Sequence, residues 1–317
     1  MFEGIALPLM CAPMSFASAI PLAVRCCRAG VLGGWQGGNA ALDEFERYLA
    51  ALANVGGAPP IVNLPARILE RADGEARMEL LQRHRVPLVL ASVGDPARLV
   101  ERVHAWGGRL IHDVTTIRHA EKAIDAGVDG LMLTCAGAGG HTGFLTPLAF
   151  VPAMRRMWNG LLIVSGGIAD AHGIAAALAL GGDLACMGTR FIATPESGVV
   201  ERHRTMIVEA GIDRIVLSAA MNGVAANWIR DSLEDAGLDV ATLPDRRIDL
   251  PAGVRPWRDL FSAGHSVALI DRVEPVSELV ARLAAELAAL LPGERWRERL
   301  AAIEARWNSP AAHAVWS

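Results

Sequence analysis

Short apolar runs alternate with segments of helical period along most of this chain. Runs at Ile5–Ala12, Val31–Gly34, Ile61–Leu64, Val86–Ser92, Arg109–Val114, Gly130–Thr134, Leu161–Ser165 and Leu184–Gly188 are short, nearly charge-free and bounded by Gly, Pro or polar residues. That is the signature of strands buried on both faces. Between them the 3.6-residue period predicts helices over Ser18–Ala29, Leu42–Ala53, Gly74–Arg85, Pro96–Ala105, Ile117–Ala126, Pro147–Met157 and Ala171–Leu180. A further helix is expected from Pro195 to Ala210. Eight strand–helix repeats inside the first 210 residues match an α/β fold of the (β/α)8 TIM barrel type. A doubly wound sheet is the alternative. It would place a phosphate-binding glycine turn after the first strand, and Ala12-Pro-Met-Ser15 is not one.

The rhythm breaks after residue 210. Residues 211–255 carry a helical patch around Val224–Leu233 and a polar, proline-bearing stretch, and predict a small helical lid domain over the barrel mouth. Residues 256–317 are expected to rejoin the barrel and pack on it, with Val276–Leu291 as an amphipathic helix. Trp296, Trp307 and Trp316 in the tail leave two readings open, docking on their own subunit or a contact in a homodimer.

Composition narrows the class. Hydrophobic residues are 52% and charged residues 20% of the 317, a globular balance. A net charge of −4 gives no footing for nucleic acid or an anionic membrane. Residues 4–24 lack charge, but Pro8, Pro13 and Pro21 interrupt any span, so a cytoplasmic protein is expected. Cys11, Cys26, Cys27, Cys135 and Cys186 have no metal-ligand spacing and fit small buried hydrophobes; no metal is expected.

The candidate chemistry is concentrated in three glycine-rich turns. Cys135-Ala-Gly-Ala-Gly-Gly-His-Thr-Gly143 follows the sixth strand and seats His141, the only acidic, basic or imidazole side chain between Asp129 and Arg155. Ser165-Gly-Gly-Ile168 follows the seventh strand and Met187-Gly-Thr-Arg190 ends the eighth. Amides of Gly166, Gly167, Gly188 and Thr189 can point at one dianion, with Arg190 adding charge or pairing with a carboxylate. A phosphate joined to a flat ring system would use all three turns, and FMN has that shape. His112-Asp113 at the end of the fifth strand is either a functional pair or structural. His265 is a weaker candidate; Asn222 and Asn227 in the lid are possible substrate contacts. His84, His104, His119, His172, His203 and His313 are expected at the surface.

These motifs, with Ala29-Gly-Val-Leu-Gly33, Asn63, Ala175–Gly181 and Ala263-Gly-His-Ser266, resemble the nitronate monooxygenase (2-nitropropane dioxygenase) family of FMN-dependent barrel enzymes over most of the chain. The resemblance implies that Pro13, Met14 and Asn63 touch the flavin ring, that Ala138 and Gly139 line it, and that Ser165, Gly166, Gly167, Met187, Gly188 and Thr189 hold the phosphate. Ser15 and Thr134 complete the expected cofactor set. His141 matches the family's catalytic base, which takes a proton from a nitroalkane or orients a nitronate on its way to a carbonyl compound and nitrite. The family also holds NAD(P)H-dependent reductases of quinones and enoyl thioesters, which remain the alternative activity. A barrel binding a phosphorylated ligand without redox chemistry is a third reading. Three positions depart from the commoner pattern: Gly137 stands where many members have glutamate, Thr134 where an acid or glutamine is frequent, and Asp113 where some carry lysine.

Overall fold

A computed structural model describes residues 1–309. Eight parallel strands close into a barrel: Leu9–Cys11, Leu32–Gln36, Pro60–Pro65, Leu88–Ser92, Arg109–Val114, Gly130–Thr134, Leu161–Ser165 and Leu184–Met187. Closure is made by the eighth strand pairing in parallel with the first, Leu9 opposite Ala185 and Cys11 opposite Met187. The barrel is the one the strand–helix rhythm predicts.

Both faces of each strand are buried because side chains alternate between two cores. Met10, Leu32, Ile61, Leu90, Ile111, Ile163 and Leu184 fill the barrel interior. Leu9, Val62, Val89, Leu110, Leu131, Leu162 and Ala185 point outward beneath the helices. This parity decides which residue of each strand end can reach a ligand at the barrel mouth.

The floor of the barrel is closed by the helix Arg295–Trp307. Its Trp296, Leu300, Ile303 and Trp307 join the interior core, and its Arg299, with Arg155, pairs with the buried carboxylate of Asp183. Two of the three tail tryptophans therefore dock on their own subunit; Trp316 and His313 lie outside the described residues. The helix Val276–Leu290 buries Val276, Leu279, Val280, Leu283 and Leu287, the stripe its period predicts, against helix Ala171–Ala179.

Two expectations are corrected. The helix expected over Pro195–Ala210 covers only Glu201–Glu209, because Pro195 and Gly198 hold the preceding residues in turns and bends. The helical patch at Val224–Leu233 is instead a strand, Ala226–Ile229, followed by the short helix Arg230–Asp235. Four consecutive buried residues there fit a strand packed on both sides, which apolar run length alone cannot separate from a helix. With Ile215–Ser218 and Gly140–His141 this strand forms a three-stranded antiparallel sheet across the barrel mouth. That sheet rests on its own core, centred on Trp228, Leu233 and Leu260, with Trp228 stacked on Trp257 at 4.3 Å.

Candidate active site

A cavity of about 410 Å³ opens at the carboxyl ends of the barrel strands, where enzymes of this architecture keep their chemistry. The first strand end supplies Pro13, Met14 and Ser15, the third Asn63, the sixth Thr134, the seventh Ser165, Gly166 and Gly167, and the eighth Gly188 and Thr189. Ala138, Gly139 and His141 line it from the loop after the sixth strand. Residues from three separate glycine-rich turns thus face one space. Met187 does not: strand parity buries its side chain outside the barrel, and its carbonyl accepts from Ala12.

The turn at Ser165–Gly167 is shaped for close approach. Gly166 has φ +125° and a side chain there would meet the Ala136 carbonyl at 2.9 Å. Gly167 has φ +73°, and a Cβ there would meet nothing within 4 Å. Gly167, four residues before helix Ala171–Ala179 (capped by Asp170, which accepts from the Gly173 amide at 2.8 Å), and Gly188 share the cavity lining. Arg190 does not join it. Its guanidinium is buried away from the cavity and donates to the carbonyls of Ala193 and Arg272, neither serving an anion nor pairing with a carboxylate. Among the described residues no arginine or lysine lines the cavity.

Two of the four glycines around His141, Gly139 and Gly143, accommodate the chain's own backbone rather than a flat ligand. A Cβ at Gly139 would sit 2.8 Å from the Gly264 amide, and one at Gly143 would sit 2.3 Å from the Thr134 carbonyl. The loop is clamped at every step. Asn227 donates to the Ala138 carbonyl at 2.7 Å, the Gly140 amide donates to Ser262 Oγ at 2.7 Å, and the His265 amide donates to the Gly137 carbonyl at 3.0 Å. Ser262 Oγ in turn donates to the Asn227 carbonyl at 2.7 Å. Asn227 and His265 are therefore supports for the loop, and neither lines the cavity.

His141 is seated by this frame. It pairs with Ala226 in the small sheet, stands edge-on to the Trp257 ring at 5.4 Å, and has Asn222 Nδ2 at 3.0 Å from its Nε2. Solvent reaches the ring through the cavity mouth, yet the surrounding protein desolvates it enough to hold its pKa below the ordinary imidazole value.

Parity also separates His112 from Asp113. Asp113 faces the cavity, bonded to Ser92 and the Val93 amide, and burial pushes its pKa up to about 6. His112 points outward under the helices, where burial lowers its pKa and Nδ1 has no partner. His203, expected at the surface, is buried: Nε2 donates to the Ser262 carbonyl at 3.0 Å and the ring stacks on Phe261 at 4.6 Å. Desolvation brings its pKa down to about 4. Helix Glu201–Glu209 turns His203 inward, and a lone histidine in a helical segment gives no sign of that from spacing alone.

Gln36, Ser92, Thr115 and Trp257 also line the cavity, as do Phe16, Asn39 and Ser262, none of them singled out in the sequence. Gln36 and Ser92 have the inward parity of their strands and were accessible to that argument; Trp257 comes from an irregular segment and was not.

The geometry brings an imidazole and three glycine-rich turns to one cavity on a parallel barrel. The family model of nitronate monooxygenase matches residues 66–286. The chain belongs to the nitronate monooxygenase family. It is 27% identical to a nitronate monooxygenase of Paraburkholderia phytofirmans over 90% of this chain and 93% of that protein. It is 28% identical to (3aS,4S,5R,7aS)-5-hydroxy-7a-methyl-1-oxo-octahydro-1H-indene-4-carboxyl-CoA dehydrogenase of Mycobacterium tuberculosis over 73% of this chain, a match that spans 65% of that relative's length. A solved structure of nitroalkane oxidase from Streptomyces ansochromogenes superposes with a TM-score of 0.77 at 26% identity, covering 89% of this chain and 96% of that one. These relatives make the chain an oxidoreductase. Among the described residues no helix is long and apolar enough to cross a membrane, and no cluster of His, Cys, Asp or Glu can hold a metal ion.

Proposed function

We propose that this member of the family is an FMN-dependent enzyme that oxidises alkyl nitronates with O2 to a carbonyl compound and nitrite. The observation that carries the reading is the convergence of His141 with the Gly166–Gly167 and Gly188–Thr189 turns on one cavity. An FMN phosphate fits the open face at Gly167, where amides and a helix amino end replace a cation. Ser165, Gly166, Gly167, Gly188 and Thr189 would hold it, and Pro13, Met14, Asn63, Ala138 and Gly139 would border the ring. Asn63 is fixed for that task, since its Nδ2 donates to the Leu90 carbonyl at 2.9 Å and to Ser92 Oγ at 2.6 Å. Bound FMN would supply electron transfer between substrate and oxygen; the chain would bind and orient the substrate. The P. phytofirmans relative and the nitroalkane oxidase structure both support this substrate class.

The test is spectroscopic and kinetic. Purified protein is expected to carry FMN and to release nitrite from an alkyl nitronate under air, and His141→Ala is expected to keep the flavin while losing most of its nitronate turnover. Protein that cannot take up FMN would sink the reading and favour a non-redox phosphate-binding barrel.

One observation favours a second activity, an NAD(P)H-dependent reductase of a quinone or an enoyl thioester. Asp113 offers a second proton-handling group on the cavity wall, and a dehydrogenase of a CoA thioester is among the relatives. Rapid anaerobic bleaching of the flavin by NADPH would select it over nitronate oxidation.

A further inference from the structure

The lid residue Asn222 has an orientation that its surroundings determine. Its Oδ1 accepts the Val224 amide at 3.0 Å. A backbone N–H can only donate, so the atom it meets must be the side-chain oxygen. The other end, the NH2 group, therefore faces His141 Nε2 at 3.0 Å. An amide nitrogen has no lone pair to offer, which makes Nε2 the acceptor and leaves the ring proton on Nδ1.

We infer that Asn222 holds resting His141 as the Nδ1–H tautomer, so that the ring meets substrate as a hydrogen-bond donor and the site selects a preformed anion, a nitronate rather than a neutral nitroalkane. The inference rests on the proposed function for its substrate half only. Nε2, the lone pair a base would use, is occupied by a positioning residue. Nδ1 makes no hydrogen bond within the described residues and is not a buried atom, which leaves it, of the two ring nitrogens, for a ligand at the cavity wall that His141 lines. An incoming nitronate oxygen is an acceptor and is served by that N–H; a neutral nitroalkane needs a proton removed and is not. Protonating the ring would set Nε2–H against the Asn222 NH2, a contact between two donors. The elements packed on His141 bring Asn222, the Trp257 ring and the Ala226 backbone, and burial alone, with no charged neighbour, lowers its pKa.

The decisive measurement is 15N NMR of the histidine-labelled holoenzyme at pH 8, with the His141 signals assigned by their loss in His141→Gln. A protonated Nδ1 and an unprotonated Nε2 are expected; the reverse pattern overturns the inference. Asn222→Asp supplies a second reading. Aspartate keeps the turn, because one carboxylate oxygen still accepts the Val224 amide while the other faces Nε2. The proton should then move to Nε2, the His141 titration should shift upward by about one unit or more, and kcat/KM for a nitronate should fall about tenfold. An unchanged titration in Asn222→Asp overturns the positioning role. Equal kcat/KM of the parent enzyme for a nitronate and its neutral nitroalkane overturns the substrate half. If nitronate is not turned over while the Nδ1–H signature is present, the proposed function and the substrate half fail together and the tautomer assignment stands.

Discussion

His112 and Asp113 are neighbours in sequence and leave the fifth barrel strand on opposite faces, the imidazole under the helices and the carboxylate into the cavity. The carboxylate is the more consequential of the two. Its pKa rises from 3.8 to about 6 because burial penalises the charge more than Ser92 and the Val93 amide relieve it. Below pH 4 the group is protonated in folded and unfolded chains alike and costs nothing. As pH rises through the folded value, the unfolded chain has already released its proton, so stability is lost between about pH 4 and 6. The loss amounts to up to about 3 kcal/mol at 1.4 kcal/mol per unit. Asp113→Asn should therefore melt higher than the parent at pH 8, by roughly 1–3 kcal/mol of stability, with the difference vanishing near pH 4. Thermal melts at both pH values check this; an Asn variant less stable at pH 8 would show that the carboxylate is paid back by contacts it alone makes.

His203 titrates in the opposite sense. Its pKa is about 4 in the folded chain and near 6.5 when unfolded, so the neutral ring is favoured by folding. Stability is complete above pH 6.5 and drains away as pH falls toward 4, to a total of roughly 3 kcal/mol. His203→Phe keeps the stacking on Phe261 and removes the charge, but leaves the Ser262 carbonyl without its donor. It should cost about 1–3 kcal/mol at pH 7.5 and flatten the acid limb of the stability profile. Denaturant midpoints at pH 7.5 and 5 measure both effects.

The barrel was legible because eight apolar runs between helical periods admit few other closures, and the three glycine-rich turns were legible because their order along the chain puts them at adjacent strand ends. What remained hidden depends on side-chain direction. Met187 and His112 lie in the right segments with the wrong parity, and the alternation of inward Leu184 and Cys186 with outward Ala185 would have excluded Met187. The pairing of strand Ala226–Ile229 with Gly140–His141 was hidden for another reason: that segment is only two residues long and lies 85 residues upstream by the register of His141 with Ala226. No local pattern encodes such a pairing. Ser262 was hidden likewise, since its value comes from joining Gly140 to Asn227.

Gly167 offers a test of the anion cradle that spares the fold. A methyl group there has free space around it, so the cost to stability is the strain of φ +73°, about 1 kcal/mol. The same methyl would project toward the volume proposed for the phosphate. Gly167→Ala is expected to weaken FMN binding about tenfold or more with a nearly unchanged melting temperature of the apoprotein. Fluorescence titration of flavin into apoprotein reads the affinity, and equal affinity in parent and variant would place the phosphate elsewhere.

Ser262 tests whether the loop clamp is what keeps His141 in place. Its hydroxyl accepts from the Gly140 amide at 2.7 Å, next to the histidine, and donates to the Asn227 carbonyl at 2.7 Å on the strand across from it. The hydroxyl is nearly buried, so Ser262→Ala strands an amide and a carbonyl that water cannot easily reach. A stability loss of about 1–3 kcal/mol follows. The loop should also gain freedom, and displacement of a catalytic ring by about 1 Å is enough to cost up to two orders of magnitude in rate. Steady-state kinetics with a nitronate should show kcat falling about tenfold or more while FMN content stays at the parental level. Parental kcat together with the expected stability loss would show that the lid sheet holds His141 without help from Ser262.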